Sequence, residues 1–212
     1  MISRIVDNPI KTLLILFSIT IGFAYYAFFS ANKLIVDFSL EQMFPENDPE
    51  RDKYDQFRAE FSREDDKFLL IYSCDDPLSR ENIKKLSIID GLINKIVGIE
   101  QTTSLSNIQE NEELLFDESL DDSTWKAHKE KVLNHPLYTN LVISEDGKSG
   151  AIFVDMKDDV NNQTLRENLF KEIDRGLEIH GRDWEWYEAG IPVLRTRYVE
   201  LVSKERSIFI PL

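Results

Sequence analysis

Apolar residues recur along this chain in three rhythms, and each rhythm predicts a different element. The first is continuous. From Thr12 to Asn32 there are 21 consecutive residues without a charge, TLLILFSITIGFAYYAFFSAN. A helix of that length rises about 30 Å, the thickness of the hydrocarbon core of a bilayer. Tyr25 and Tyr26 lie too deep in the run to serve as interfacial anchors.

The second rhythm is three-and-four. Asp48 can cap a helix with Pro49 at its first position, and Tyr54, Phe57 and Phe61 then form one aromatic face, expected to pack in a core. Ser79 caps a helix running through Val97, with Ile83, Leu86, Ile89, Ile93 and Ile96 on one face and Gly98 placed to end it. Shorter versions predict helices over Thr124–Leu133, over Thr164–Ile179 with Leu165, Leu169, Ile173 and Leu177 in line, and over Val193–Arg206.

The third rhythm belongs to strands. Lys67–Cys74 (KFLLIYSC) and Ile99–Leu105 read as strands separated by the Ser79 helix. Leu141-Val142-Ile143 and Ala151–Val154 flank Asp146-Gly147, which predicts a hairpin. Trp184–Glu188 (WEWYE) alternates as a last strand, with Trp184 and Trp186 on the same side, and Ala189-Gly190-Ile191-Pro192 turns the chain into the last helix. The summed order is an α+β fold, an antiparallel sheet with helices on one face, close to the ferredoxin-like βαββαβ pattern. Residues 107–138 read as a polar, acidic insertion. The expected organisation is residues 1–33 as cytoplasmic N-terminus and first span, 34–206 as an extracytoplasmic domain, and 207–212 as the truncated start of a second span.

Charge orients this arrangement. The chain has net charge −14, but Arg4, Lys11 and Lys33 face only Asp7 up to residue 36, leaving −16 on residues 37–212. The positive-inside rule puts the N-terminus in the cytoplasm and the acidic bulk outside, in a plasma membrane such as the bacterial inner membrane. A cleaved signal peptide is the competing reading, with small residues at Gly22-Phe23-Ala24, but the apolar run continues past them to Ala31. An acidic surface of this size repels a phosphate backbone and argues against nucleic acid. Cys74 is the one cysteine and so forms no intrachain disulfide; followed by Asp75 and Asp76, it reads as a packed thiol.

Candidate chemistry is sparse, and no enzyme is expected. Gly147-Lys148-Ser149 has the ending of a phosphate loop, but Val142 occupies the first glycine position and the segment sits in a hairpin. Asp155, Asp158 and Asp159 suggest a calcium loop, yet Val160 and Arg166 fall where glycine and glutamate are required. His128 and His135 are about 10 Å apart along a helix, too far to share a metal. His180 reads as a favourable helix-end charge. Asn162-Gln163-Thr164 fits a glycosylation acceptor that only a eukaryotic secretory route would use. Trp184, Trp186 and Tyr187 could line an apolar site, but in a strand beside a helix they read as core and edge packing. No catalytic, metal-binding or cofactor-binding residue is assigned.

Several segments carry a family resemblance. Asp37-Phe38-Ser39-Leu40-Glu41-Gln42-Met43-Phe44-Pro45-Glu46-Asn47-Asp48-Pro49, followed by Phe57 and Phe61, resembles the stretch after the first span in transporters of the resistance-nodulation-division (RND) superfamily, above all MMPL-type and Patched-like exporters. Ile99–Ile108 resembles the strand after the first porter helix of that family, and Ala189-Gly190-Ile191-Pro192 with the helix ending Glu205-Arg206 resembles its approach to the second span. The acidic stretch Glu110–Asp122 does not align with the family pattern. The resemblance implies one porter-type domain in an exporter that moves lipids or other hydrophobic compounds on an ion gradient. Its partners would be the lipid bilayer, the remaining transmembrane domain and a hydrophobic substrate, and it admits a homo-oligomer. Its coupling carboxylates would lie in later spans. The alternatives are the sensor domain of a two-span receptor, or a membrane-anchored binding or accessory protein.

Overall fold

The longest apolar run forms one continuous helix, α1 (Pro9–Ala31), in the computed structural model of the chain, which describes residues 9–31, 49–60, 66–110, 112–157, 160 and 163–209. Between Pro9 and Tyr26 every side chain except Thr12 is exposed. The hydroxyls of Ser18 and Thr20 donate to the carbonyls of Leu14 and Leu16 at 2.8 and 2.9 Å. Such back-bonding satisfies them without water, so they do not prevent burial in lipid. The helix is long and apolar enough to cross a membrane. It belongs to a unit of Met1–Val36 with Leu201–Leu212, separate from the unit Asp37–Glu200.

The second unit holds a mixed α+β arrangement. After α2 (Pro49–Glu60) come β1 (Lys67–Ser73), α3 (Arg80–Ile93), β2 (Ile99–Thr103), the two-residue strands β3 (Gln109–Glu110) and β4 (Glu113–Leu114), and α4 (Asp122–Asn134). Then follow β5 (Ser149–Met156), α5 (Gln163–His180), β6 (Glu185–Gly190) and α6 (Ile191–Phe209), whose residues after Glu200 belong to the first unit. Four strands make one sheet in the order β2-β5-β1-β6, every neighbour antiparallel. The α3 connection therefore steps over β5, and the α5 connection steps over β1. Alternation along the central pair, with Phe68 opposite Val154, Leu70 opposite Ile152 and Tyr72 opposite Gly150, buries one face completely. α3 and α5 pair with each other over that face, with the Phe170 ring of α5 5.0 Å from Phe68. Leu69, Ile71 and Phe153 on the reverse face are only half-buried.

Local signals account for the element ends. Ser79 caps α3 by accepting from the Asn82 N–H at 3.2 Å, and Asp121 caps α4 through Ser123 and Thr124. Gly190 has φ +138, and a Cβ there would stand 2.8 Å from the Phe68 Cα. Only glycine therefore lets β6 pass straight into α6 with no loop between them.

The structure corrects four expectations. Phe57 is 58% exposed rather than core, because the polar sequence PERDKYDQFRAE offers too narrow an apolar stripe to bury a helix. Leu165 is exposed as well: residues four apart drift about 40° around a helix, and the buried stripe of α5 is Arg166, Leu169, Phe170, Ile173 and Leu177. Leu141-Val142-Ile143 is a turn and not a strand. The N–H groups of all three point to the Tyr138 carbonyl after Asn140 at φ +65, and only a single Ile143–Gly150 antiparallel bridge remains of the hairpin. Finally, residues 107–138 are more than an acidic insertion. Leu115, Phe116, Trp125 and Val132 join the main core, with the Trp125 indole donating to the Leu78 carbonyl at 3.0 Å. Residues 37–48, Phe61, Asp158, Asp159, Asn162 and residues 210–212 lie outside the described residues.

Candidate functional site

Alternation in β6, the last turns of α5 and the first turns of α6 build a concave surface of the second unit. Trp184, just before β6, and Trp186 within it point to the helix-covered side. Their rings lie 4.7 and 5.6 Å from Tyr72 and 5.7 Å from each other. Two close approaches make room for this stack. A Cβ at Gly150 would overlap the Tyr72 hydroxyl, and one at Gly181 would fall 2.6 Å from the Trp186 Nε1. The Trp186 N–H donates to the Gly181 carbonyl at 2.9 Å, and the Lys85 ammonium lies 4.6 Å over the Trp184 ring.

Against this aromatic floor stand the C-terminal half of α5 and the first turns of α6. Together they enclose a groove of about 920 Å³, bordered by Leu177, Glu178, Arg182, Tyr187, Val193 and Arg197 among others. Its wall is electrostatically knotted. Arg197 donates to Glu188 at 2.9 Å and to Glu200 at 3.3 Å, with Asp174 at 3.5 Å. Burial pushes the Glu188 carboxyl above its ordinary pKa, against the pull of Arg197. Burial also works against the Arg197 charge, but its carboxylate partners raise its pKa beyond the usual guanidinium value. Arg197 is thus a fixed cation at the groove wall. Arg182, also at the groove, makes no ion pair with any described residue.

The arrangement offers a groove of ligand size with the half-buried Trp186 in its floor and charges of both signs at its border. It holds no pairing of nucleophile and base. Trp184 and Trp186 pack in and against the core, as the packing reading expected, while Tyr187, opposite Ile71 on the reverse face of the sheet, borders the groove at 58% exposed. The other wall, Asp174, Glu188 and Arg197, was not anticipated. One signal was there: the alternation Trp184, Trp186, Glu188 puts a carboxylate on the core-facing side of a strand, which calls for a partner.

The remaining candidates fall apart. Gly147-Lys148-Ser149 forms a hairpin turn, with Gly147 at φ +67 and the Lys148 N–H bonded to Asp146 at 3.1 Å. Asp155 is taken by Gln101 at 2.8 Å and Lys67 at 3.6 Å. The His128 ring bonds the Leu115 carbonyl at 2.5 Å, His135 accepts from the Leu137 N–H at 3.2 Å, and His180 is exposed at the end of α5. Among the described residues no cluster of His, Cys, Asp and Glu is placed to hold a metal ion. Cys74 is half-buried, its thiol pKa raised by burial. No protein-family model matches the chain, and no curated protein matches it in sequence.

Proposed function

We propose that this chain is the membrane-anchored, extracytoplasmic N-terminal part of an exporter of the RND type, akin to MMPL and Patched-like proteins, and that it presents one porter domain to hydrophobic cargo. The observation that carries this reading is the pairing of a solvent-exposed α1, without a charge after Lys11 in its first turn, with an acidic α+β unit. A helix apolar on every side has no stable place in water, and lysine and arginine before it with acid after it orient it outward. Sheet order β2-β5-β1-β6 with α3 and α5 as crossovers supports reading the domain as ferredoxin-like, two split βαβ units in one antiparallel sheet. In this reading α1 is structural, holding the domain at the outer face of a plasma membrane, and coupling to an ion gradient belongs to other spans. The aromatic groove then meets the apolar body of the cargo, and Arg182 and Arg197 bias its orientation.

Membrane extraction and protease protection test this directly. The expressed chain, with Met1 intact, is expected to stay with membranes through carbonate washing. In spheroplasts a tag between Asp117 and Asp121 is expected to be digested from outside, and a tag before Met1 protected. Recovery in the aqueous fraction without detergent overturns the anchor. Loss of residues 1–24 from the mature protein identifies a signal peptide instead, and a cytoplasmic signalling module encoded downstream replaces the exporter by a receptor.

A further inference from the structure

Among the buried residues of α3, Asp90 alone is polar. Its Oδ2 takes both the Ser104 hydroxyl and the Ser106 hydroxyl. Those serines open the turn by which the chain leaves β2 for residues 107–138, and Ser104 organises that turn. The Ser106 N–H donates to the Ser104 hydroxyl oxygen at 3.1 Å, and the Asn107 and Ile108 N–H groups donate to the Ser104 carbonyl at 3.2 and 3.1 Å. The Asn107 side chain closes the turn, accepting from the Ser104 N–H at 2.8 Å and donating to the Thr102 carbonyl at 2.9 Å. Asp90 is thus a buried link between α3 and the exit from the sheet. Farther out, the same segment meets α3 through Arg80–Asp122 and Lys84–Glu118, both at 3.0 Å. Ion pairs as exposed as these hold little.

We propose that Asp90, Ser104 and Ser106 form a proton-operated clasp, closed on the protonated carboxyl and loosened by its ionisation, which sets how firmly the root of segment 107–138 is held to α3. The geometry locates the proton. Oδ2 is filled by two hydroxyl donors, whereas Oδ1 is buried without a hydrogen-bond partner among the described residues. Ionisation therefore strands charge on an unsatisfied oxygen, and protonation at Oδ1 removes it. Among the described residues no cation pairs with Asp90, and burial outweighs the two serines in raising its pKa to about 6. The neighbouring charges are engaged elsewhere. Arg80 and Lys84 pair with Asp122 and Glu118 near Ser106, and Lys85 pairs with Asp183. From β1 the fully buried Tyr72 phenol stays neutral, its pKa pushed well up by burial, then by Cys74 and Asp90. Glu172, Arg175 and His180 of α5 stand beside Leu92 and Ile96. Because the clasped carboxyl holds its proton more tightly than a released one, the added hold is complete in acid and fades as pH rises through about 6. The device belongs to this domain and does not depend on whether the protein transports anything.

Hydrogen exchange of the full chain in detergent micelles, read by mass spectrometry and corrected for the intrinsic effect of pH, tests the clasp at the amides of Ser106, Asn107 and Ile108. These amides are expected to be less protected than those of Leu169–Leu177 in α5. Between pH 5 and pH 7.5 they are expected to lose about tenfold in protection, the ratio for a carboxyl that falls from about 6 to 3.8 on release. Asp90→Asn cannot ionise and is expected to keep the pH 5 protection throughout. Ser106→Ala removes a hydroxyl that favours the ionised form, so the midpoint of its profile is expected to move up, a change that a purely structural contact would not produce. Histidine titrates over the same interval, and replacing His128 and His135 by Gln is expected to leave the profile unchanged. Protection at the three amides equal to that of α5 would mean that Asp90 acts only through global unfolding. That result, a profile persisting in Asp90→Asn, a midpoint unmoved or lowered in Ser106→Ala, or a profile lost with the histidines would each overturn the clasp.

Discussion

Helices α1 and α5 are both long, 23 and 18 residues, and they meet water in opposite ways. In α5 the apolar residues form one stripe, with Leu169, Phe170, Ile173 and Leu177 buried and charged residues on the outer side. In α1 they run all round the cylinder, and the only described side chain between Pro9 and Tyr26 that is not exposed is Thr12. A stripe needs an apolar surface inside the protein, whereas a whole apolar cylinder needs an apolar solvent. Distribution, more than content, therefore separates a core helix from a membrane helix. The sharpest way to break this comparison is to put the same charge into each. Ile173→Asp buries an unpaired carboxylate at a site 1% exposed. It is expected to cost more than about 4 kcal/mol and abolish cooperative unfolding of the domain, read by circular dichroism. Phe17→Asp in α1 is expected to leave that transition unchanged while reducing the fraction retained in membranes, since a charge at the centre of a span costs about 3 kcal/mol. Were Phe17→Asp to melt the domain, α1 would be a core helix.

Helix α3 sharpens the comparison, because its buried face includes a carboxylate among the isoleucines. Asp90 is 4% exposed. It accepts from the Ser104 and Ser106 hydroxyls, while its Oδ1 has no hydrogen-bond partner among the described residues. Burial, only partly opposed by the two serines, pushes its pKa from 3.8 to about 6. The folded state thus holds a proton more tightly than the unfolded chain, and stability grows as pH falls from about 6 toward 3.8. At about 1.4 kcal/mol per tenfold change in proton affinity, the full effect is about 3 kcal/mol. Glu110, Asp117, Asp146 and Asp183 have lowered values and act in the opposite sense in stronger acid. The measurement is therefore a difference: urea unfolding of the parent minus that of Asp90→Asn, followed from pH 7.5 to 4. The difference is expected to shrink as pH rises through 6, with the Asn variant the more stable at pH 7.5. A pH-independent difference would show that Asp90 stays ionised in the fold.

How far the fold was legible follows the same division between local and distant causes. The stripe Ile83, Leu86, Ile89, Ile93 and the cap Ser79 are encoded within one helix and were readable. The Asp-Gly turn at Gly147 was readable too, but the strand leading into it was not. Tyr138 captures three successive N–H groups, a geometry that an apolar triplet does not announce. The aromatic half of the groove was visible through alternation in WEWYE. Its charged half depends on α6 bringing Arg197 back onto Glu188, and the room for Tyr72 depends on Gly150 across the sheet. Pairings between separate elements leave no local trace in a single sequence.

Between the large and small effects lies the α3 cap. Ser79 accepts the Asn82 N–H at 3.2 Å, so Ser79→Ala is expected to lower domain stability by about 1 kcal/mol and to leave the groove's response to aromatic ligands unchanged. A loss above about 3 kcal/mol would mean that the α3 end also anchors Asp76 and Leu78 in the core.

Phe57 provides the smallest effect and the cleanest check on the rule. Its spacing from Tyr54 suggested a core face, yet the ring is 58% exposed on a helix whose other described side chains include no buried residue. Aspartate there removes little buried apolar surface and strands no buried charge, so Phe57→Asp is expected to change stability by less than about 0.5 kcal/mol. Ile93→Asp, at a site 3% exposed on α3, is expected to unfold the domain. The two carry the same substitution chemistry from similarly apolar starting points. Only the breadth of the stripe differs: two aromatic residues among the polar side chains of α2, against a face repeated over three turns of α3. If both variants unfolded in parallel urea titrations, spacing alone would be a sufficient guide to burial and the width of the stripe would add nothing.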